Sequence, residues 1–418
     1  MFRQKQQIEL VTGLDIGSTA VRIALGQVTY SVNNPPELQL IAAVEVPSEG
    51  VHRGIVTSIE ETVSSVSNTL EQLERLSGVQ PEHVWVGISG SQIVSQMNRG
   101  VVAVAKSNGE IGPEDVDRVV SAAKNIALPL NYELVHVLPR TYTVDGQTGI
   151  KDPIGMTGIR LEVDTQIIMA TSAQIKNLTR AIYRTGVDID DLVLSALAAG
   201  DLVATPRQKD LGVAVVNLGG STTSLIVYEE GDILHSTILP VGSEHITNDL
   251  AIGLRTSIDI AEKIKLQYGD CYPAGVNKKD VVDLIDVGNE VSDVVSRKYI
   301  AEIINARVEE IMEKIEKELS SIGRNGLLPA GIIYTGGGAK LRGLTELSKD
   351  KMRLPASLGF PIDVASATDR INDLAFTTAI GLVRWGANVN PAGKTVPGLK
   401  NFGKVSDQVK KWFKSLVP

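Results

Sequence analysis

The sequence predicts an α/β fold built from two similar halves, and three glycine turns predict it. Val216-Asn217-Leu218-Gly219-Gly220-Ser221-Thr222-Thr223-Ser224 reads as a strand, a tight Gly-Gly turn, hydroxyl residues, and a second strand on which Leu225 and Val227 alternate. Leu14-Asp15-Ile16-Gly17-Ser18-Thr19-Ala20-Val21-Arg22-Ile23 repeats that pattern near the start of the chain. Tyr334-Thr335-Gly336-Gly337-Gly338-Ala339-Lys340 adds a late third turn. Glycine lets backbone N–H groups approach a phosphate with no Cβ in the way, and clustered N–H groups form an anion-binding nest. One Gly-Gly hairpin alone carries little weight. Two related hairpins and a distal triple-glycine turn predict two halves closing on a nucleotide.

The bulk numbers narrow the classes. A chain of 418 residues holds two or more domains and can bury a large core. Its composition, 43% hydrophobic and 22% charged, is that of an ordinary globular protein. The net charge of -8 gives no general pull towards nucleic acid. The single cysteine, Cys271, leaves no intrachain disulfide and no cysteine-based metal site, which fits a reducing cytoplasm. The polar start Met1-Phe2-Arg3-Gln4-Lys5-Gln6-Gln7 lacks the apolar run of a signal peptide. No stretch approaches the ~20 apolar residues of a spanning helix, so any membrane contact is expected at the surface.

Taken in order, residues 8–15, 21–28 and 38–46 read as strands, 57–76 as a helix with Ile59, Val63, Val66, Leu70 and Leu73 at helical spacing, and 84–88 as a short buried strand. Residues 90–172 differ in character. A strand with a turn (92–105), a helix opened by Pro113 with Glu114 and Asp115 behind it, and two longer strands (133–144 and 158–170) predict an inserted β-α-β-β subdomain. This segment has no cluster of catalytic residue types and reads as an interaction surface. Residues 172–185 and 192–203 read as helices, and Pro206-Arg207-Gln208-Lys209-Asp210 as the hinge between halves. The second hairpin follows, then helices at 243–253, 258–268 and 294–322, a strand at 332–334, and an Ala/Gly helix at 373–386. Residues 387–398 hold Asn, Pro, Gly and Thr, the composition of a mobile linker.

The C-terminal stretch stands apart. On a helix, Val405, Val409, Trp412, Phe413 and Leu416 share one face, and Lys404, Lys411, Lys414 and Asp407 fall largely elsewhere, with Lys410 near the boundary. A short basic helix with Trp and Phe on its apolar side, after a linker, is the pattern of an interfacial membrane anchor. Each lysine near an anionic surface adds on the order of 1 kcal/mol. The alternative is a terminal helix packed on its own core, which would need neither the linker nor five lysines between Lys400 and Lys414. Binding by one such helix is weak, and several copies held together gain by avidity.

These motifs resemble the actin/Hsp70/sugar-kinase superfamily, with its duplicated ribonuclease-H-like two-domain fold. Within it the chain is similar to the FtsA family of bacterial cell-division proteins, over nearly its whole length. The resemblance rests on Gly13-Leu14-Asp15-Ile16-Gly17-Ser18, on Ala261-Glu262-Lys263-Ile264-Lys265 with Tyr268-Gly269, and on Thr335-Gly336-Gly337-Gly338-Ala339. The segment from Gly87-Ile88-Ser89-Gly90 to Asp115-Val116-Asp117-Arg118-Val119 looks like that family's 1C subdomain, and the basic amphipathic tail is similar to its membrane-targeting sequence. The resemblance implies subdomain 1A over 1–89 and 173–208, 1C over 90–172, 2A over 209–239 and 303–366, and 2B over 240–302. It further implies a closing helix over 367–386, a linker over 387–400 and a membrane-targeting helix over 401–418. It implies an ATP-binding protein, with Mg²⁺, that polymerises on the cytoplasmic face of the cell membrane at the division site. There it would tether FtsZ through that protein's C-terminal peptide, bound on 2B, and recruit later division proteins.

The site residues follow from the same resemblance. Asp15 would sit at the Mg²⁺ through water, as a hard oxygen ligand suits that ion; otherwise it caps its own turn. Gly17, Ser18 and Thr19 would hold one side of the phosphates, and Asn217, Gly219, Gly220, Ser221 and Thr222 the other. Glu262 and Lys265 would reach ribose and adenine, or else form a solvated i,i+3 ion pair. Gly336, Gly337, Gly338 and Lys340 would pack beside the base. Phe402, Val405, Val409, Lys410, Lys411, Trp412, Phe413, Lys414 and Leu416 would meet the membrane. Asn217 stands where relatives usually carry Asp, and Asn carries no charge for a metal. With Ser224 where an acidic residue is frequent, ATP hydrolysis should be weak or absent, and no catalytic residue is assigned. Ala20 stands where many relatives have Lys, and Arg22 replaces it only if the strand has already begun. Two rivals remain: an actin-fold platform of type IV pilus assembly, PilM, and a sugar or metabolite kinase. The first generally lacks the tail, and the second needs a carboxylate base that the sequence does not offer.

Overall fold

Alternating apolar residues and a glycine turn bend the start of the chain into a hairpin of β1 (Gln7–Ile16) and β2 (Ala20–Ser31), to which β3 (Asn34–Pro47) adds antiparallel. A small hairpin, β4 (Val51–His52) and β5 (Ile55–Val56), leads into α1 (Ile59–Ser77) and the parallel strand β6 (His83–Ile88). The computed structural model describes residues 7–31, 34–126, 128–289 and 292–389.

The insertion follows as β7 (Val94–Ala103), α2 (Pro113–Lys124), β8 (Tyr132–Val144), β9 (Gln147–Ile150) and β10 (Arg160–Thr171). Its four strands lie in the order β7-β10-β8-β9. One face of this sheet packs on α2 through Val119, Val120, Leu161, Val163 and Ile167, a core separate from those of the two halves.

The first half resumes with α3 (Ser172–Tyr183), β11 (Asp188–Leu194) and α4 (Ser195–Val203). The helix expected over 192–203 is therefore a strand end followed by a shorter helix. Leu192, Val193 and Leu194 extend beside β6, with a bulge between Ile189 and Asp191; parallel pairing overrides the helical propensity of the Ala-rich run. The segment read as the hinge, 206–210, forms α5 (Pro206–Leu211). Thr205 accepts a hydrogen bond from the Gln208 N–H, and the Gln208 side chain reaches back to the Thr205 N–H. This capping box, with Pro at the first helical position, starts the helix.

The second half repeats the first. Strands β12 (Val213–Leu218), β13 (Thr223–Glu229) and β14 (Asp232–Leu239) form an antiparallel meander. Helices α6 (Ser243–Leu254) and α7 (Ile258–Tyr268) follow, then a two-stranded ribbon of β15 (Val281–Asp283) and β16 (Val294–Ser296). The long helix expected from Val294 begins only at Arg297, as α8 (Arg297–Ser321), because its first residues pair with β15. Strand β17 (Ile332–Thr335) runs parallel to β12, and α9 (Leu344–Met352) leads to β18 (Ala356–Leu358) beside it. The chain then crosses back through β19 (Ala365–Ser366), at the edge of the first sheet, into α10 (Thr377–Val389). Short 3-10 turns over Asp369–Asn372 and Leu374–Phe376 precede α10, so the expected helix starts four residues late. Ala387–Val389 remain helical; the rest of the expected linker and the whole C-terminal stretch lie outside the described residues.

The sheet orders state the duplication directly. The first reads β11-β6-β1-β2-β3-β19 and the second, reversed, β18-β17-β12-β13-β14. Between them lie α4 and α10, packed on one another: a Cβ on Gly381 would stand 2.3 Å from the Ala198 carbonyl oxygen. Helix α10 lies on β1 and α4 on β12 and β13, so each helix is buried against a sheet. Val213, Val215, Ile226 and Ile333 of the second sheet join the first half's core through this layer.

Candidate functional site

Both hairpin turns close in the same way. The Gly17 N–H donates to the Ala20 carbonyl at 3.1 Å, and the Gly219 N–H to the Thr222 carbonyl at 2.9 Å. The two turns face each other across a cleft that is partly open to solvent. Asp15, Gly17, Ser18 and Thr19 line one wall and Asn217, Gly219, Gly220, Ser221 and Thr222 the other, with Gly336 and Gly337 at one end. At their closest the hairpins nearly touch: a Cβ on Gly220 would lie 2.5 Å from the Thr19 methyl.

The electrostatics of the cleft are lopsided. Asp15 is the one carboxylate among its described lining residues. Burial pushes its pKa up to about 6, and the Arg22 guanidinium, opposite it in the hairpin register, pulls the other way. Strand β2 begins at Ala20, so Ala20 and Arg22 share a face and Arg22 lines the cleft. Its Nε donates to Glu45 at 2.6 Å, which fixes the side chain. In the second half the equivalent cross-strand pair is Asn217 and Ser224, both neutral. The Asn217 amide donates to Thr378 Oγ1 at 3.0 Å, joining this hairpin to α10. Its Oδ1 would lie 2.2 Å from a Cβ on Gly336, whose φ is +87°, so that position takes only glycine.

Four of the expected residues, Gly338, Lys340, Glu262 and Lys265, are not among those lining the cleft. Gly338 packs on the Leu218 side chain. Lys340 pairs with Asp373 at 2.5 Å and lines a second, open hollow with Leu358 and Phe360. Glu262 and Lys265 bind each other at 2.7 Å, and Lys265 also donates to Thr247 Oγ1 at 2.8 Å. The lysine is nearly buried and its Glu262 partner exposed.

Several cleft residues escaped the sequence reading. Gly54 comes from the β4–β5 turn, where its N–H donates to Ser18 Oγ at 3.0 Å. Ser89 follows β6, Ser195 starts α4, Ala375 lies in the short turn before α10 and Thr378 in the first turn of α10. The Ser195 hydroxyl is buried, with no hydrogen-bond partner among the described residues. Glu244, in the first turn of α6, accepts a hydrogen bond from Ser221 and secures the second hairpin. For Gly54, Ser89 and Ser195 a glycine in a tight turn or a hydroxyl beside a strand end is the local signal; Ala375, Thr378 and Glu244 carry none.

Comparison with known proteins agrees with this architecture. The family model for cell division protein FtsA matches residues 214–381, and the model for the SHS2 domain inserted in FtsA matches residues 90–169. Cell division protein FtsA of Pseudomonas aeruginosa is 31% identical over 97% of this chain and 98% of its own. Among solved structures, the PilM-PilN type IV pilus biogenesis complex matches with a TM-score of 0.64 at 18% identity, covering 90% of this chain and 98% of that one. MreB5 of Spiroplasma citri bound to ADP matches at 0.54 and 14% identity, covering 92% and 97%. The fold and cleft define an actin-like protein with an inserted SHS2-type domain. The chain belongs to the FtsA family of cell division proteins. Among the described residues no helix is long and apolar enough to cross a membrane.

Proposed function

We propose that the cleft binds ATP with Mg²⁺, and that the chain polymerises on the cytoplasmic face of the cell membrane at the division site as a tether for FtsZ. The observation that carries the nucleotide reading is the convergence of two identically closed glycine hairpins and the Gly336 turn on one cleft. Gly17–Thr19 and Gly219–Thr222 offer backbone N–H and hydroxyl donors to phosphate oxygens, and Arg22 adds a cation. The donor set suits a magnesium ion. Among the described residues no three His, Cys, Asp or Glu gather to hold a metal, and magnesium binds through one or two carboxylates, water and phosphate oxygens. Asp15 is the carboxylate in place, and its raised pKa marks a site where a bound cation would be welcome. With Asn217 and Ser224 neutral, Asp15 is the one carboxylate among the described residues lining the cleft, and the neighbouring Glu244 is held by Ser221, an arrangement that favours slow hydrolysis or none.

The tether reading adds the subdomain division given above, with FtsZ's C-terminal peptide on 240–302, self-association into filaments, and later division proteins as further partners. Exposed Ile252, Val281, Ile285 and Val294 give that part of the surface apolar anchors for a peptide. The basic amphipathic stretch from Phe402 to Leu416 would supply the membrane contact. Two measurements test the proposal. A fluorescent ATP analogue should bind the full chain in Mg²⁺ and bind Asp15→Asn at least tenfold more weakly. Anionic vesicles should sediment the full chain and leave a version ending at Pro397 in solution. Equal binding by Asp15→Asn would refute the metal assignment, and equal sedimentation would refute the anchor.

A further inference from the structure

The insertion leaves the first half just after Ser89, which lines the cleft, and the chain returns through α3. Two buried polar side chains fasten it there. Gln174, in the first turn of α3, is 3% exposed. Its amide nitrogen donates to the Ser89 carbonyl and, at 3.4 Å, to the Gly54 carbonyl. Ser89 and Gly54 both line the cleft, and the Gly54 N–H holds Ser18 on the first hairpin. The wall is tight, since a Cβ on Gly90 would lie 2.9 Å from the Gln174 amide nitrogen.

The second fastening is His136, on β8 of the inserted sheet, also 3% exposed. Its Nε2 accepts the Leu194 N–H at 3.0 Å. Leu194 ends β11, and the next residue, Ser195, lines the cleft. Burial pushes the His136 pKa down to about 4, so the ring is neutral at ordinary pH and keeps a lone pair for that bond. The ring also lies against Trp385 of α10, centroids 6.0 Å apart. Helix α10 in turn carries Thr378, which receives the Asn217 amide.

Neither side chain is needed to hold the inserted sheet together, because that sheet has its own core on α2. Each instead joins the sheet or its exit helix to a backbone group beside a cleft residue. Both side chains are buried, so a shift of the wall is passed on or breaks a buried hydrogen bond, which is costly. We infer that Gln174 and His136 are positioning residues that couple the cleft to the inserted sheet, so that filling the cleft shifts the sheet and a partner loading the sheet changes the cleft's affinity. Such coupling is reciprocal by thermodynamic necessity. The inference rests on the nucleotide reading of the cleft.

Amide hydrogen exchange on the full chain, with and without ATP and Mg²⁺, tests it. In the wild type ATP should slow exchange in β12 and β13 and, by about fivefold or more, in β7 and β10, the low end of typical coupling factors. Gln174→Met and His136→Phe keep shape and lose the hydrogen bond; together they should abolish the response of β7 and β10 while β12 and β13 stay protected. His136→Gln, whose amide oxygen can accept from Leu194, should restore part of it, which a merely structural role would not predict. If ATP protects β12 and β13 in the wild type but leaves β7 and β10 unchanged, the coupling is refuted and the nucleotide site stands. If ATP protects no strand, the site reading fails and the coupling falls with it. The wild-type comparison decides alone should a variant not fold.

Discussion

Two buried ionisable groups set opposite pH dependences in this protein, and separating them tests the electrostatic reading of the cleft. The Asp15 carboxyl is raised by burial from 3.8 to about 6. Between those values the folded chain holds a proton that the unfolded chain has released, so this group's contribution to stability falls as pH rises through that window. His136 is lowered by burial from 6.5 to about 4. Between those values the unfolded chain binds the extra proton, so its contribution is full above about 6.5 and is lost as pH falls towards 4. Each shift corresponds to about 3 kcal/mol at 1.36 kcal/mol per unit. The slopes overlap and nearly cancel. Asp15→Asn should therefore stabilise the nucleotide-free chain at pH 8 by up to about 3 kcal/mol, or about 3 °C in Tm if all 418 residues unfold together. That gain should vanish near pH 4. His136→Phe should melt less acid-sensitively than the wild type, because only the Asp15 slope then remains of the two. The assay is a series of thermal scans from pH 4 to 8, read as the difference between each variant and the wild type, in which all other groups cancel. An Asp15→Asn difference of the same size at both ends of the range would refute a buried, proton-holding Asp15.

Gly381→Ala should destabilise by about 1–3 kcal/mol, the range for overpacking, because its Cβ would lie 2.3 Å from the Ala198 carbonyl oxygen; a urea midpoint equal to the wild type's would contradict so close a helix crossing. Arg22→Gln removes the cation opposite Asp15 and should weaken binding of a fluorescent ATP analogue about tenfold, matching the ~1.5 kcal/mol of one hydrogen bond to a charged group. Unchanged affinity would take Arg22 out of the site. Lys151, which reaches Asp232 of the second half at 2.5 Å, is half exposed. Lys151→Ala should therefore cost no more than about 1 kcal/mol, and a larger loss in thermal scans would make this contact a structural latch.

The parts of the site that local chemistry dictates were legible in the sequence. A turn such as Ile16-Gly17-Ser18-Thr19 needs only its own backbone hydrogen bond and the alternation around it, so both hairpins and the Gly336 turn stand where their residues imply. Glu262 and Lys265 show the limit of that logic. Their spacing on one helical face was legible, but Thr247 and Ser243, which occupy the lysine, come from α6 and leave no trace in the spacing. Strand β11 was hidden for a related reason. Asp190 and Asp191 interrupt its apolar run and the Ala-rich segment behind it favours a helix, so only pairing with β6 makes Leu192–Leu194 a strand. Ser89 and Ser195, each beside the end of one of these paired strands, inherit their place in the cleft from that non-local pairing.

The duplication also explains where the charge sits. Cross-strand register makes Asp15 and Arg22 the counterparts of Asn217 and Ser224, at equivalent points of equivalent hairpins. The backbone donors are thus shared between the halves, while both ionisable groups belong to the first. A phosphate chain held between them would meet symmetric N–H groups and an asymmetric field, its charge balanced from the β1–β2 side alone. The second hairpin, tied by Asn217 to Thr378 and by Ser221 to Glu244, contributes shape and neutral donors. Loss of Asp15 or Arg22 should therefore alter affinity and its dependence on magnesium. Replacing Asn217 with Asp would instead place a second carboxylate opposite the first, raising the cost of the nucleotide-free cleft and exchanging a donor to Thr378 for an acceptor.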